Sequence, residues 1–165
     1  MSKTAVYFAT ESGTSQKFAE KIADLLDCDL YNVGDSELET MAGYDNLVFV
    51  TSFRGWGAPV SGWGGKIKFF NAKVDLKGKK IALVGVGSQE RHADSFCSGL
   101  QDFALKLGDS ARFVGDSPAS DYKFEFSRAQ KGDKMIGLCL DDGDGDAKND
   151  ERLNKWLETV KPAFA

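Results

Sequence analysis

A chain of 165 residues can bury a substantial core, and it reads as one domain spanning residues 1–165. Its 42% apolar and 28% charged residues are those of an ordinary globular protein, and no run is long enough to span a membrane. A net charge of −4 without a basic stripe argues against nucleic acid, and Met1-Ser2-Lys3-Thr4 leads straight into an apolar run, so no signal peptide and a cytoplasmic location are expected.

The first apolar run, Ala5–Ala9, predicts a buried strand. Thr10-Glu11-Ser12-Gly13-Thr14-Ser15 follows as a hydroxyl-rich turn, and Thr14–Leu26 predicts a helix with Phe18, Ile22 and Leu25 on one face. Helix N-terminal N–H groups lack internal partners and carry partial positive charge, so such a turn can seat an anion. The same residues would also serve as plain helix caps. The turn has no lysine or arginine, which separates it from the nucleoside-triphosphate loop and suits a phosphate monoester held by neutral donors.

Cys28–Val33 is more polar and predicts an edge strand, and Ser36–Met41 a short helix. Leu47–Val50 predicts the third strand, followed by the loop Thr51-Ser52-Phe53-Arg54-Gly55-Trp56-Gly57-Ala58-Pro59. Trp63, Ile67 and Phe70 mark a helix. Ile81–Val86 predicts the fourth strand, followed by Gly87-Ser88-Gln89-Glu90-Arg91-His92-Ala93-Asp94 and a helix marked by Phe96, Leu100, Phe103 and Leu107. Phe113-Val114 precedes a segment, Asp116–Asp133, that breaks the alternation. Its Tyr122, Phe124 and Phe126 predict a small extended piece packed on the body. Met135–Leu140 predicts the last strand and Leu153, Trp156, Leu157 and Val160 the last helix, opened by a cap-like Asn149-Asp150-Glu151.

Strand–helix alternation of this kind is a doubly wound α/β domain with a parallel sheet. Cys28, Cys97 and Cys139 are odd in number and widely spaced, which fits reduced thiols and neither a disulfide framework nor zinc. No metal is expected: a calcium loop counted from Asp142 would have Ala147 at its sixth position and Leu153 at its twelfth.

Ligands of open α/β sheets sit beyond the C-terminal strand ends, at the switch in strand order. The loops after the first, third and fourth strands therefore form the candidate site. Phe53 and Trp56 on a glycine-rich loop need something flat to cover, although one of them can fold inward as an anchor. The fourth-strand loop adds the Gly87 backbone, Gln89 and His92, the single histidine; a lone histidine is more often an ordinary surface residue. One phosphate and one flat ring describe FMN better than ATP or NAD, since the first turn lacks G-x-G-x-x-G.

At these loops, and over essentially the whole chain, the sequence resembles the flavodoxins. Thr10–Ser15 matches the family's phosphate loop, T-x-[TS]-G-x-[TS]. Gly85-Val86-Gly87-Ser88-Gln89, followed by Ala93-Asp94-Ser95-Phe96, resembles the second loop around the flavin ring, and Leu138–Asp142 with Asp150–Trp156 resembles the C-terminal signature. The Asp116–Asp133 segment is similar to the insertion that splits the last strand in long-chain members. The resemblance implies a five-stranded parallel sheet of order 2-1-3-4-5 with its last strand split. It also implies a monomeric, low-potential one-electron carrier with non-covalent FMN, shuttling between a flavodoxin reductase or similar donor and an acceptor enzyme. Such a protein has no catalytic residues and no nucleic-acid or membrane partner.

On this resemblance the cofactor contacts are Thr10, Glu11, Ser12, Gly13, Thr14 and Ser15; Thr51, Ser52, Phe53, Arg54, Gly55, Trp56 and Gly57; and Gly87, Ser88, Gln89, His92, Asp94 and Phe96. The peptide expected to turn toward the ring is Gly55–Trp56. The departures from the family pattern lie at the ring. His92 stands where a stacked tyrosine is common, Ser88 where an aspartate is common, and Ala58 where an acid is common. Either Phe53 or Trp56 supplies the inner face. Arg54 and Arg91 bring positive charge, expected to make the second reduction potential less negative. Rival readings are an FMN-dependent quinone or nitro reductase and a flavodoxin-like interaction module without cofactor. A phosphoacceptor receiver is excluded, because Thr10-Glu11 and Thr51-Ser52 do not supply its aspartates.

Overall fold

The computed structural model describes residues 3–9, 11, 13–54, 58–59, 61–70 and 72–165. Its main sheet is parallel along the path β10-β5-β3-β1-β2. These strands are β1 (Thr4–Ala9), β2 (Asp29–Asn32), β3 (Asn46–Arg54), β5 (Lys80–Gly87) and β10 (Leu138–Asp141), with the short β4 (Ala58–Pro59) folding back antiparallel on β3. A further strand, β6 (Arg112–Val114), pairs with Lys80–Ala82 at the start of β5, while β10 pairs with Val84–Gly87 at its end. The fifth position is thus filled by two pieces of chain, giving the order 2-1-3-4-5 with the last strand split.

The split is made by residues 115–137, which hold a three-stranded antiparallel sheet of β7 (Ser117–Pro118), β9 (Lys134–Met135) and β8 (Gln130–Lys131). Met135–Leu140 is therefore not one strand. Met135 pairs with Ser117 and Gln130, Ile136 donates its N–H to the Ala129 carbonyl at 2.9 Å, and only Leu138 onward joins β5. Gly137 marks the break, because a Cβ there would collide with the Leu83 carbonyl. Tyr122–Phe126 forms no strand. Tyr122 is buried, Phe124 stacks on Phe96 with centroids 5.5 Å apart, and Phe126 is exposed.

Alternation along the strands sends side chains to two faces. Val6, Phe8, Val48, Val50, Val84 and Leu140 face α1 (Thr14–Leu26) and α4 (Asp146–Phe164). Tyr7, Leu47, Phe49 and Leu83 face α2 (Ser61–Gly64), α3 (Leu100–Leu107) and the insertion. On that side Phe49, Trp63, Phe70 and Phe103 form an aromatic cluster with centroids 5.0–6.3 Å apart. The Trp63 indole N–H is satisfied by the Val50 carbonyl at 2.8 Å.

The helix α1 has the predicted bounds. Phe18, Ala19, Ile22 and Ala23 are buried at helical spacing, and it ends where Asp27 turns left-handed at φ 50°. The others differ. The helix expected across Trp63–Phe70 is one turn, α2, followed by a 3₁₀ turn at Ile67–Phe69, and Ser36–Met41 becomes a 3₁₀ turn at Leu38–Gly43. The third begins at Leu100 rather than Phe96. The last begins at Asp146, so Asn149 lies inside the helix and is buried instead of capping it. The expected edge strand is β2, paired among the described residues only with β1.

Candidate functional site

The loops after β1, β3 and β5 emerge side by side, because these strands are neighbours and point the same way. Order reverses at β1, whose chain leaves to β2 on one side and returns to β3 on the other, so a crevice opens there.

Of the first loop, Thr10 and Ser12 lie outside the described residues. Gly13 occupies the N-cap position at φ 91°, a left-handed conformation suited to glycine. Ser15 is fully buried in the first turn of α1, and its Oγ has no hydrogen-bond partner among the described residues. A buried hydroxyl without a partner is costly, so its presence at a helix N-terminus fits a site built for an anion with oxygen acceptors. Glu11 is exposed and Thr14 half-buried beside it.

In the second loop the third strand runs further than expected, through Thr51, Ser52, Phe53 and Arg54. The short β4 pairs antiparallel with its end, Phe53 with Pro59 and Arg54 with Ala58. Thr51 is buried and Ser52 half-buried. Phe53 falls on the same face as Leu47 and Phe49 and packs on that core. Its ring lies over Gly85, where an added Cβ would come within 2.8 Å of Phe53 Cζ. Phe53 thus packs inward on the core and also borders the cleft described below. Gly55, Trp56 and Gly57 lie outside the described residues.

The third loop begins at Gly87 and is braced from below. Cys97 Sγ and the Phe96 ring would lie 3.2 and 3.3 Å from a Cβ at Gly87. Phe96 is wholly buried between Tyr122 and Phe124, so its side chain supports the loop and does not face the crevice. Cys97 takes a left-handed φ of 52°, and burial, with the neighbouring Cys139 thiol, pushes its own thiol well above the ordinary range. Ser88 Oγ accepts the Arg91 N–H at 3.1 Å and Ser88 O accepts the His92 N–H at 3.0 Å. Arg91, His92 and Asp94 are exposed. A cleft of about 160 Å³ is lined by Ser52, Phe53, Gly87, Arg91, His92 and Cys97 among others, so residues of two predicted loops do converge.

Gln89 points elsewhere. Its amide reaches Asp141, the last residue of β10, and Asp144, in the loop from β10 to α4. Sequence reading missed the residues there. Asp141 is a buried carboxylate, and Asp144 forms a 2.8 Å ion pair with Arg152, whose side chain is 6% exposed and lies over the Tyr122 ring. Partial burial acts to raise the Asp144 pKa, but hydrogen bonds from Arg152 and Gln89 outweigh it and hold the carboxyl below its usual range. Nothing local in the acidic run Asp141–Asp146 says which of its charges a later turn of helix will cover.

A doubly wound parallel sheet with a helix N-terminus carrying a buried hydroxyl at its switch point, and a part-aromatic cleft beside it, is the arrangement of mononucleotide-binding α/β proteins. The flavodoxin family model matches residues 6–156, and the chain belongs to the flavodoxin family. It is 31% identical to the flavodoxin of Helicobacter pylori, with 100% of each chain covered, and 34% identical to flavodoxin 1 of Azotobacter vinelandii, over 99% of this chain and 98% of that one. The crystal structure of Fusobacterium nucleatum flavodoxin bound to flavin mononucleotide matches with a TM-score of 0.92 at 25% identity, covering 100% of both chains. Among the described residues no helix is long and apolar enough to cross a membrane.

Proposed function

We propose that this chain binds FMN non-covalently and carries single electrons between redox proteins, without a substrate of its own. The observation that carries this reading is the buried, unpartnered Ser15 hydroxyl at the N-terminus of α1, at the switch point of a flavodoxin sheet. When bound, the flavin supplies the redox chemistry; the chain holds, orients and shields it. Residues 10–15 seat the phosphate, with Ser15 Oγ and the first N–H groups of α1 as donors. With Phe53 turned inward over Gly85, Trp56 is the aromatic of the first ring loop left to cover the ring. Gly87, Ser88 and His92 border it from the second, and Arg91 overhangs the edge. The chain works as a single cytoplasmic domain over residues 1–165. It is a monomer of the long-chain type, a reading favoured by the insertion between β6 and β10. Its partners are a reductase-type donor and an acceptor enzyme.

The test is the absorption spectrum of the purified protein, followed by removal of the flavin and its return. Bound FMN that gives no steady NAD(P)H oxidation by the protein alone is the expected result. Steady turnover would assign a reductase instead, and a protein that neither carries nor takes up flavin would remove the reading.

A further inference from the structure

Gln89 sits in the second ring loop, yet its side chain is engaged on the side away from the cleft. Nε2 donates to Asp141 Oδ2 at 3.0 Å and to Asp144 Oδ2 at 2.8 Å, so both amide hydrogens are used. Oε1 accepts the Lys123 backbone N–H at 2.7 Å. The amide cannot be turned over, because its oxygen would then face two carboxylates and its nitrogen an N–H. The Gln89 backbone N–H also donates to Asp141 Oδ2, at 2.9 Å. One residue thereby joins three segments: the ring loop, the insertion and the β10–α4 loop.

The partners are themselves fixed. Asp141 Oδ1 accepts the Gly143 N–H at 3.0 Å, and the Asp141 backbone is held by Asn149. Asp144 is clamped by the buried Arg152. Hydrogen bonds to ionised carboxylates are about twice as strong as neutral ones. At the loop's far end the Ala93 carbonyl accepts N–H groups from Glu125 at 2.7 Å and Phe126 at 3.0 Å. The span from Gln89 to Ala93 is thus a bridge pinned at both ends to the insertion, with Arg91 and His92 exposed between the pins. A hollow of about 540 Å³ lies against these contacts, bordered by Gln89, Asp121, Tyr122, Lys123, Asp144 and Arg152.

We propose that Gln89 is a positioning residue, and that the Gln89–Asp141–Asp144 connection, rather than contact between Gln89 and the flavin, sets where the second ring loop stands over the cofactor. The proposal rests on the FMN reading for its consequence but not for its structural part. It also gives the insertion a role: through Lys123 and residues 125–126 it holds the ring loop in place.

Gln89→Ala removes three of the four bonds and Asp144→Asn weakens one from a residue outside the ring loops. In the flavin-free protein, amide hydrogen exchange at residues 89–92 and at Lys123 should quicken about tenfold in Gln89→Ala, a factor equal to about 1.4 kcal/mol. Exchange in the strand β1 should stay unchanged. In the FMN complex, both variants should shift the gap between the two one-electron midpoint potentials in the same direction, and the double variant should shift it by less than the sum. Unchanged exchange in the flavin-free Gln89→Ala protein, with FMN affinity lost, would make Gln89 a direct ligand and overturn the proposal. Faster exchange with potentials unmoved in both variants would overturn it too. Should Gln89→Ala fail to fold, Asp144→Asn alone decides through the same two readouts. A wild-type protein that takes up no flavin would defeat the FMN reading while leaving the exchange result to stand.

Discussion

The side-chain amide of Asn149 grips both backbone polar groups of Asp141: Nδ2 donates to the Asp141 carbonyl at 2.8 Å, and Oδ1 accepts the Asp141 N–H at 3.2 Å. Asp141 ends β10, the edge strand of the parallel sheet, so its N–H and C=O on the outer side have no strand to meet. Asn149 replaces that strand from one turn inside α4. Both groups are buried, and each loses its partner in Asn149→Ala. At on the order of 1–3 kcal/mol for each stranded buried group, this exposed-looking substitution should be among the more destabilising in the chain. Urea unfolding of the flavin-free protein measures it; a midpoint within error of wild type would mean that the amide merely decorates the helix.

The Ser15 hydroxyl allows a sharper contrast. It is buried without a partner, so Ser15→Ala removes a cost from the flavin-free protein, which should be as stable as wild type or more so. FMN affinity should nonetheless fall, since a hydrogen bond to a charged group contributes roughly 1.5–3 kcal/mol. Riboflavin, which lacks the phosphate, should bind wild type and variant alike. Unfolding midpoints and fluorescence-quenching titrations with both flavins check all three statements. An equal loss of affinity for riboflavin would move Ser15 out of the phosphate seat.

Much of this architecture was legible in the sequence because burial on both faces writes a nearly continuous apolar run. Ala5–Ala9, Ile81–Val86 and Thr14–Leu26 fall where the pattern puts them, to within a residue or two. The misreadings share a different cause. Met135–Leu140 is an unbroken apolar run that serves two sheets, and only the close approach of Gly137 to Leu83 divides it. Asn149 has the composition of a cap but a tertiary task. Local pattern also left Phe53 and Trp56 undistinguished as the inward aromatic, and only the alternation of a longer β3 carries the Phe53 ring onto the core. Each depends on a contact far along the chain, which no local period encodes.

Phe53 and Gly85 form such a contact, and it is testable. Gly85→Ala places a Cβ 2.8 Å from Phe53 Cζ and 3.1 Å from Cys97 Sγ, so the ring must move. Overpacking of this kind costs typically 1–3 kcal/mol, and the displaced ring should also disturb the pairing of Phe53 with Pro59. Phe53→Leu in the Gly85→Ala background should recover part of the loss by making room. Absence of any recovery in the unfolding midpoint would show that the added methyl acts on Cys97 instead.

Acid sensitivity should depend on Asp144. Its carboxyl titrates below the ordinary range in the folded protein, despite partial burial, because of Arg152 and Gln89. The unfolded chain therefore binds more protons between the two pKa values, and stability rises with pH across that interval. The contribution is present above the usual aspartate value of about 3.9 and fades as pH falls through the lower folded value. Asp144→Asn removes the titrating group, so the variant should start out less stable at neutral pH and lose less as the pH falls below the usual aspartate value. Parallel acid-unfolding curves for the two proteins would contradict this.

Charge at the cleft rim gives the last expectation. Arg91 is exposed in the ring loop and lines the cleft with Phe53 and His92, where the flavin edge would lie. Adding the second electron places negative charge on the ring, and a nearby cation favours that step by Coulomb attraction. Because Arg91 is solvated, its influence should be modest and salt-dependent, with screening over about 8–10 Å at ordinary ionic strength. Arg91→Ala should therefore make the second potential more negative, and Arg91→Glu more so, while the first potential moves less. The ordering should shrink as salt is raised toward ~1 M, where the screening length falls to about 3 Å. Redox titration of the three proteins at low and high salt reads both trends. A second potential that is the same in all three at low salt would leave the backbone of the ring loops, and not the arginine, as the source of tuning.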